Sequence, residues 1–180
     1  LRVNYVGELG WELHPEMQYM EALYDALWAA GEEYGIANFG LYAVNSLRIE
    51  KGYRGWGAEL TNEITLLDAD MERFIRFDKD HFVGRDATLK HAEVGRSIQL
   101  VYFEVDAEDS DTRGAEPIYS GDQCVGITTS GGYGHAVQKS LGFGYVDLGN
   151  AKPGTELGID LLGKRCRAVV LEEPAYDPAN

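Results

Sequence analysis

The sequence predicts an α+β fold in two parts, helices first and strands after. Three observations carry this. Apolar residues recur at 3 and 4 spacing in two stretches before residue 52, the mark of amphipathic helices. Beyond Gly95, six short apolar runs follow one another closely with no helical period between them. Turn signals such as "SGDQ" and "KPGT" separate several of these runs. Residues 1–94 are therefore expected to form an α+β domain, and residues 95–180 an all-β one, a small closed barrel or a sandwich.

The chain opens on two alternating runs, "RVNYV" and "WELHP", joined by "GELG", whose Gly7 and Gly10 can adopt the positive φ of a short turn. Strand side chains alternate faces, so Trp11 and Leu13 are expected in a core, with Glu12 and His14 on the other side. "PEMQYMEALYDALWAAGEEYG" then reads as a helix. Pro15 and Glu16 suit its first turn, Met20, Leu23, Tyr24, Leu27 and Ala30 share one face, and Gly31 or Gly35 ends it. "GLYAVNSLRIEKG" gives a second helix from about Leu41 to Lys51, with Leu41, Val44 and Leu47 as its buried stripe. "YRGWG" breaks regular structure, "MERFIRFDK" reads as a strand, and "FVGRDATLKHAE" holds a short helix leading to Gly95. The six strands beyond are "SIQLVYFEV", "EPIYS", "QCVGITTS", "SLGFGYVD", "GTELGIDLL" and "KRCRAVVLEE".

Composition sets the bounds. With 180 residues, 44% of them hydrophobic and 11% aromatic, the chain can bury a core without help from a metal or a disulfide. No run approaches the ~20 apolar residues of a membrane span. The net charge of −14 would repel a phosphate backbone, so neither a membrane nor nucleic acid is expected as a partner. Local arginines leave room for a small anion. Cys124 and Cys166 lie far apart in apparent strands, which suits reduced thiols in a cytoplasmic protein. His14, His81, His91 and His135 are scattered without ligand spacing, so no metal site is expected. The chain begins at Leu1 inside a strand-like run, with neither Met nor a signal peptide, and reads as the downstream part of a larger protein.

Few residues suggest chemistry by themselves. "SGGYG" (Ser130 to Gly134) and "GFGYVD" (Gly142 to Asp147) match no phosphate-loop pattern, and glycines in an all-β region mark bulges and tight corners. Nothing reads as a nucleophile. Arg48 sits beside the apolar stripe of the second helix, with Glu50 close behind, and reads as a snorkelling cation paired with a carboxylate. Tyr53 and Trp56 lie on a glycine-flanked segment, where an aromatic can stack on a flat ligand or simply pack. By pattern alone, Glu12 is a solvent-facing strand residue.

Taken together and in order, "YVGELGWELHP", "GLYAVNSLRIEKGYRGWG" and "FVGRDATL" resemble the glycine-cleavage T-protein (aminomethyltransferase) family. More closely, they resemble the folate-binding C-terminal region of dimethylglycine and sarcosine dehydrogenases. "SLRIEKGYRGWGAEL" and the closing "YDP" point to that branch, and "GITTSGGYGHAVQKSLGFGYV" is similar to the family's C-terminal barrel. The resemblance implies the latter part of a ferredoxin-like folate-binding module, followed by a six-stranded antiparallel barrel. It also implies a site. The glutamate at the Glu12 position hydrogen-bonds the pterin of tetrahydrofolate, whose adjacent N–H donors suit a carboxylate. Tyr5, Trp56 and Arg113 fall at further folate positions: Trp56 as a stacking aromatic, Arg113 as a cation for folate carboxylates. Alternation pairs Tyr5 with Val3, so a bulge or twist must bring it to the site. One departure stands out, since Val44 occupies a position where T-proteins carry an arginine.

The function so implied is part of a flavin-dependent enzyme that oxidises an N-methyl amine, with folate taking up the one-carbon unit. FAD and the catalytic aspartate belong to the upstream half, so no catalytic residue is expected in this chain. The alternatives are a stand-alone aminomethyltransferase working with a lipoyl carrier protein, a related folate-dependent demethylase, and a folate-binding module kept for regulation or RNA modification. The upstream half would be the chain's partner, and the surface it normally covers is expected to drive self-association.

Overall fold

The computed structural model describes residues 1–179. Three helices precede the sheet: α1 (Met20–Gly31), α2 (Leu41–Glu50) and α3 (Arg85–Val94). Short 3-10 turns at Met17–Tyr19 and Glu32–Tyr34 extend α1 at both ends, and Gly35, at φ 71°, closes it in the left-handed conformation that glycine adopts freely. No helix among the described residues is long and apolar enough to cross a membrane.

The six strands are β1 (Ile98–Val105), β2 (Pro117–Ser120), β3 (Gln123–Gly134), β4 (Lys139–Asp147), β5 (Glu156–Leu161) and β6 (Lys164–Val170). They pair antiparallel in the order β1-β4-β3-β2-β5-β6 and close into a barrel through β1 and β6. Each falls on one of the six apolar runs. Closure gives every strand two neighbours and so removes the unpaired edge that would invite aggregation.

Alternation on β1 divides the core in two. Val101, Phe103 and Val105 join Ile118, Val146 and Ile159 inside the barrel. Leu100, on the other face, joins Leu141, Phe143 and Tyr145 of β4 and Ile49 of α2. This parity explains "GFGYV". The β4 residues that face α2 are large, whereas those between them, Gly142 and Gly144, leave room for barrel side chains. A Cβ at Gly142 would lie 2.5 Å from Phe103 Cε2, and one at Gly144 2.6 Å from Ile118 Cδ1. Between Thr128 and Ser130 the β3–β4 register shifts, a bulge at the start of the "SGGYG" stretch.

The first part departs from its sequence pattern in four places. "MERFIRFDK" forms no strand; it holds a 3-10 turn at Glu72–Phe74, with Phe74 59% exposed. Its alternation is imperfect, and among the described residues it enters no strand pairing. The opening hairpin forms, through Val3 N–H to Gly10 and Glu12 N–H to Leu1, but its only ladder pair among the described residues is Arg2 with Trp11. A two-stranded ribbon needs a covering layer to persist as sheet, and here Trp11 and Leu13 are 64% and 50% exposed, not in a core. The expected stripe of α1 is likewise uncovered, since none of its residues is buried. In α2, Leu41 is exposed, and burial falls instead on Arg48, Ile49 and Glu50, where the last turn meets β3 and β4.

Candidate functional site

Arg48 and Glu50 at the end of α2, with Glu59 from the irregular segment that follows, decide how the helical part meets the barrel. Arg48 is 5% exposed and its partner is Glu59, which is wholly buried; Arg48 Nη1 lies 3.3 Å from Glu59 Oε2. Burying such a pair is costly unless the remaining donors and acceptors are also satisfied, and here they are. Glu59 Oε1 accepts from Thr129 and Ser130 of β3, each at 2.6 Å, and Oε2 accepts from the Gly55 N–H at 2.7 Å. Arg48 also donates to Asn45, Ser130 and the Tyr53 carbonyl. The Tyr145 hydroxyl, pushed to a higher pKa by burial and by nearby Glu59, stays protonated and donates to the Glu59 carbonyl. Glu50 takes a parallel role, as its carboxylate accepts the Ala136 and Val137 N–H groups in the β3–β4 turn.

This network fixes the irregular segment that carries the aromatics. Gly55 is held by Glu59 and Tyr53 by Arg48, so the chain entering the turn is fixed at two points. Ala58, Glu59 and Leu60 N–H groups converge on the Gly55 carbonyl, and Gly57, at φ 87°, takes a conformation strained for other residues. Trp56 projects from this turn, 78% exposed. Tyr5 comes to the same segment. Its hydroxyl donates to the Arg54 carbonyl at 3.3 Å, and its ring stacks on Tyr53 at 6.2 Å between centroids and 11° between planes. Strand parity does not apply to Tyr5, because it lies in a turn closed by Gly7 N–H to Asn4.

Arg113 lies in the loop before β2. Glu116 pins that loop: its carboxylate accepts the Arg113 and Gly114 N–H groups at 3.0 and 2.9 Å, and the Thr128 hydroxyl as well. Burial pushes the Glu116 carboxyl up, but these donors outweigh it and hold it below its ordinary value. Gly114, at φ 117°, passes so close to β3 that a Cβ would lie 2.5 Å from the Thr129 carbonyl. Thr129 is one of the residues that bond Glu59. The Arg113 guanidinium itself is exposed and has no partner among the described residues.

Glu12 stands apart. It lies on the outer arm of the hairpin, where Oε2 meets His14 Nε2 at 3.1 Å and both side chains are more than half exposed. It lines an open trough of about 620 Å³ with Leu1, Leu13, His14, Pro15 and Leu23. The fold thus gathers Tyr5 and Trp56 on one segment, ties the Arg113 loop to Thr128, the neighbour of Thr129, and leaves Glu12 along the hairpin with no hydrogen bond to the other three. Arg48 is not a snorkelling cation, and its acceptor is Glu59, not Glu50. Sequence reasoning passed over Glu59 because one acidic residue in an irregular stretch has no periodic signature.

Comparisons with known proteins cover nearly the whole chain. Residues 1–79 match the GCVT N-terminal domain, and residues 99–177 the glycine cleavage T-protein C-terminal barrel domain. Mitochondrial dimethylglycine dehydrogenase from Homo sapiens is 41% identical over 97% of this chain and 20% of its own length. An aminomethyltransferase from Thermoanaerobacter pseudethanolicus is 33% identical over 97% of this chain and 47% of its own. The crystal structure of glycine cleavage system aminomethyltransferase T from Bartonella henselae superposes with a TM-score of 0.89 at 26% identity, over 98% of this chain and 49% of that one. The chain spans 20% to 49% of the length of these three.

Proposed function

This chain belongs to the glycine cleavage T-protein family, and we propose that it is the tetrahydrofolate-binding part of a dimethylglycine- or sarcosine-dehydrogenase-like protein that passes a one-carbon unit from an N-methyl amine to tetrahydrofolate. The observation that carries this reading is the fixed aromatic segment. Tyr5 is locked onto Tyr53 and Arg54 beside an exposed Trp56, on the same hairpin as the open carboxylate of Glu12. In kind, these groups fit a folate. Glu12 offers a carboxylate to paired pterin donors, the indole offers a face, and the unpaired Arg113 offers a cation to a carboxylate tail. Tetrahydrofolate, when bound, supplies the nitrogens that take up the one-carbon unit. The residues of this chain bind and orient, and proximity is their contribution.

FAD and the catalytic aspartate are assigned to polypeptide upstream of Leu1, and the boundary between folate module and barrel domain to about residue 95. Two free cysteines suit a reducing compartment such as the cytoplasm. A second reading, a stand-alone aminomethyltransferase, draws on the 33% identity to that enzyme over the same 97% of the chain. The higher identity to dimethylglycine dehydrogenase favours the first.

In the full polypeptide, Glu12→Gln turns one acceptor oxygen into a donor facing a pterin donor. A loss of about 2 kcal/mol in tetrahydrofolate affinity is expected, read by calorimetric titration. Unchanged affinity would remove Glu12 from the site.

The same proposal gives the uncovered face of α1 a purpose. Trp11, Leu13, Met20, Tyr24 and Leu27 lie open from the hairpin along the helix, an apolar surface of the kind that marks an interface, and the upstream half is proposed to cover it. The isolated chain is then expected to self-associate with rising concentration in sedimentation velocity. A strict monomer throughout would count against the assignment.

A further inference from the structure

We propose that the C-terminal tail is a strap that positions the opening hairpin, the element carrying Tyr5 and Glu12, and that Tyr176 and Lys51 are its positioning residues. Where it concerns folate, this rests on the reading above. The strap itself rests on contacts.

The hairpin is weakly built. It has one ladder pair, an uncovered apolar side and a turn at residues 4–7. Such a ribbon does not hold its place unaided. Two attachments supply what it lacks. One is Tyr5 on Tyr53 and Arg54, already described. The other comes from the opposite end of the chain. The Tyr176 hydroxyl donates to the Glu8 carboxylate, next to the turn, a bond that raises the tyrosine's pKa and keeps it a donor.

Tyr176 is itself held from below. Its N–H donates to the Glu50 carbonyl at the end of α2, at 3.0 Å. The next residue, Asp177, receives Lys51 Nζ through its carbonyl at 2.6 Å and its carboxylate at 3.0 Å. Lys51 is 4% exposed, and both acceptors found for its ammonium among the described residues lie on Asp177. A buried ammonium without a partner is costly, so the tail is bound to this place by the need of Lys51 for an anion. The stem of the same lysine carries the hairpin. A Cβ at Gly7 would lie 3.1 Å from Lys51 Cβ, so the glycine, at φ 79°, lets the turn rest directly on the stem. One side chain thus supports the turn with its methylenes and anchors the tail with its charge. The tail reaches over it to hold Glu8.

The barrel needs none of this. Upstream of the strap, the tail is already tied to β1 by Leu171 N–H to the Tyr102 carbonyl, and Leu171 and Ala175 pack on the core between β4 and α2. Loosening Tyr176 and Asp177 leaves those contacts in place.

The test is amide hydrogen exchange on the chain, comparing Tyr176→Phe, Lys51→Met and Glu8→Gln with the unaltered sequence. Tyr176→Phe removes only the hydroxyl, Lys51→Met keeps the stem but loses the charge, and Glu8→Gln retains an acceptor for the tyrosine. Val3, Gly7 and Glu12 amides are expected to exchange about tenfold faster in the first two, the factor that loss of one hydrogen bond to a charged group gives. Glu8→Gln is expected to stay near the unaltered rate, and the Val101 and Phe143 amides of the barrel are expected not to change. Unchanged hairpin exchange in both Tyr176→Phe and Lys51→Met overturns the strap. So does equal acceleration in hairpin and barrel, which would make the tail part of general stability. In the full polypeptide, tetrahydrofolate affinity is expected to fall in Tyr176→Phe and hold in Glu8→Gln; an equal affinity in all variants overturns the link to folate. If the unaltered polypeptide takes up no tetrahydrofolate, the folate reading falls, and the exchange rates still decide the strap.

Discussion

Glu59→Ala is expected to cost about 3–5 kcal/mol of folding stability, because it leaves the Arg48 guanidinium buried without its counter-charge. That is a large share of the ~5–15 kcal/mol that holds a domain together. The loss spreads beyond the pair. Thr129 and Ser130 of β3 lose the Glu59 oxygen that accepts their hydroxyls, and the Gly55 N–H loses the oxygen that fixes the aromatic turn. The double variant Arg48→Met, Glu59→Leu removes both charges and is expected to regain part of the stability, since replacing a buried pair by apolar residues of similar size is far milder than breaking it. The return is partial because Asn45 Oδ1 loses its donor and the Ser130 and Thr129 hydroxyls lose their charged partners. Urea denaturation followed by circular dichroism measures both. A single variant with an unchanged midpoint would show that the Arg48–Glu59 pair is not buried in solution.

The same pair shows which parts of the molecule a sequence discloses. Barrel strands announce themselves because a strand in a closed sheet meets its neighbours at a fixed period, so "SIQLVYFEV" and "KRCRAVV" carry their burial in their spelling. Helix existence was legible for the same reason. Burial of helix faces was not, because periodicity states which residues share a face and never what lies opposite. The stripe of α1 is present in the sequence, and none of it is buried in the structure. In α2 the tightest contacts fall on Arg48 and Glu50, which no apolar period would choose. Tyr5 illustrates a second limit. Alternation put it with Val3, but a turn begins at Asn4, and turn residues obey local backbone geometry rather than strand parity. Of the four candidate residues, Tyr5 and Trp56 are brought together by Glu59, which carries no motif of its own, while Glu12 and Arg113 owe their candidacy to family resemblance.

Gly126→Ala is expected to be as damaging as the loss of Glu59, for a reason that involves no charge. Gly126 of β3 lies opposite Val146 of β4, and a Cβ there would stand 2.1 Å from the Tyr145 carbonyl oxygen and 2.9 Å from the Val146 Cα. These are backbone atoms in a hydrogen-bonded ladder, so no rotamer change relieves the overlap. The two strands must separate, and in a closed barrel each is also held by its other neighbour, β2 on one side and β1 on the other. Displacement of β4 in turn moves Tyr145, whose hydroxyl reaches the Glu59 carbonyl, so strain in the sheet reaches the turn that presents Trp56. A destabilisation at or above the upper end of the ~1–3 kcal/mol typical of overpacking is expected. Gly149→Ala is the matched control. It adds the same methyl where nothing lies within 4 Å of the new Cβ, and a change within about 0.5 kcal/mol is expected. Thermal unfolding of the two variants side by side separates steric overlap from the general effect of losing a glycine. Equal melting temperatures would mean that the β3–β4 ladder is looser at Gly126 than its close approach requires.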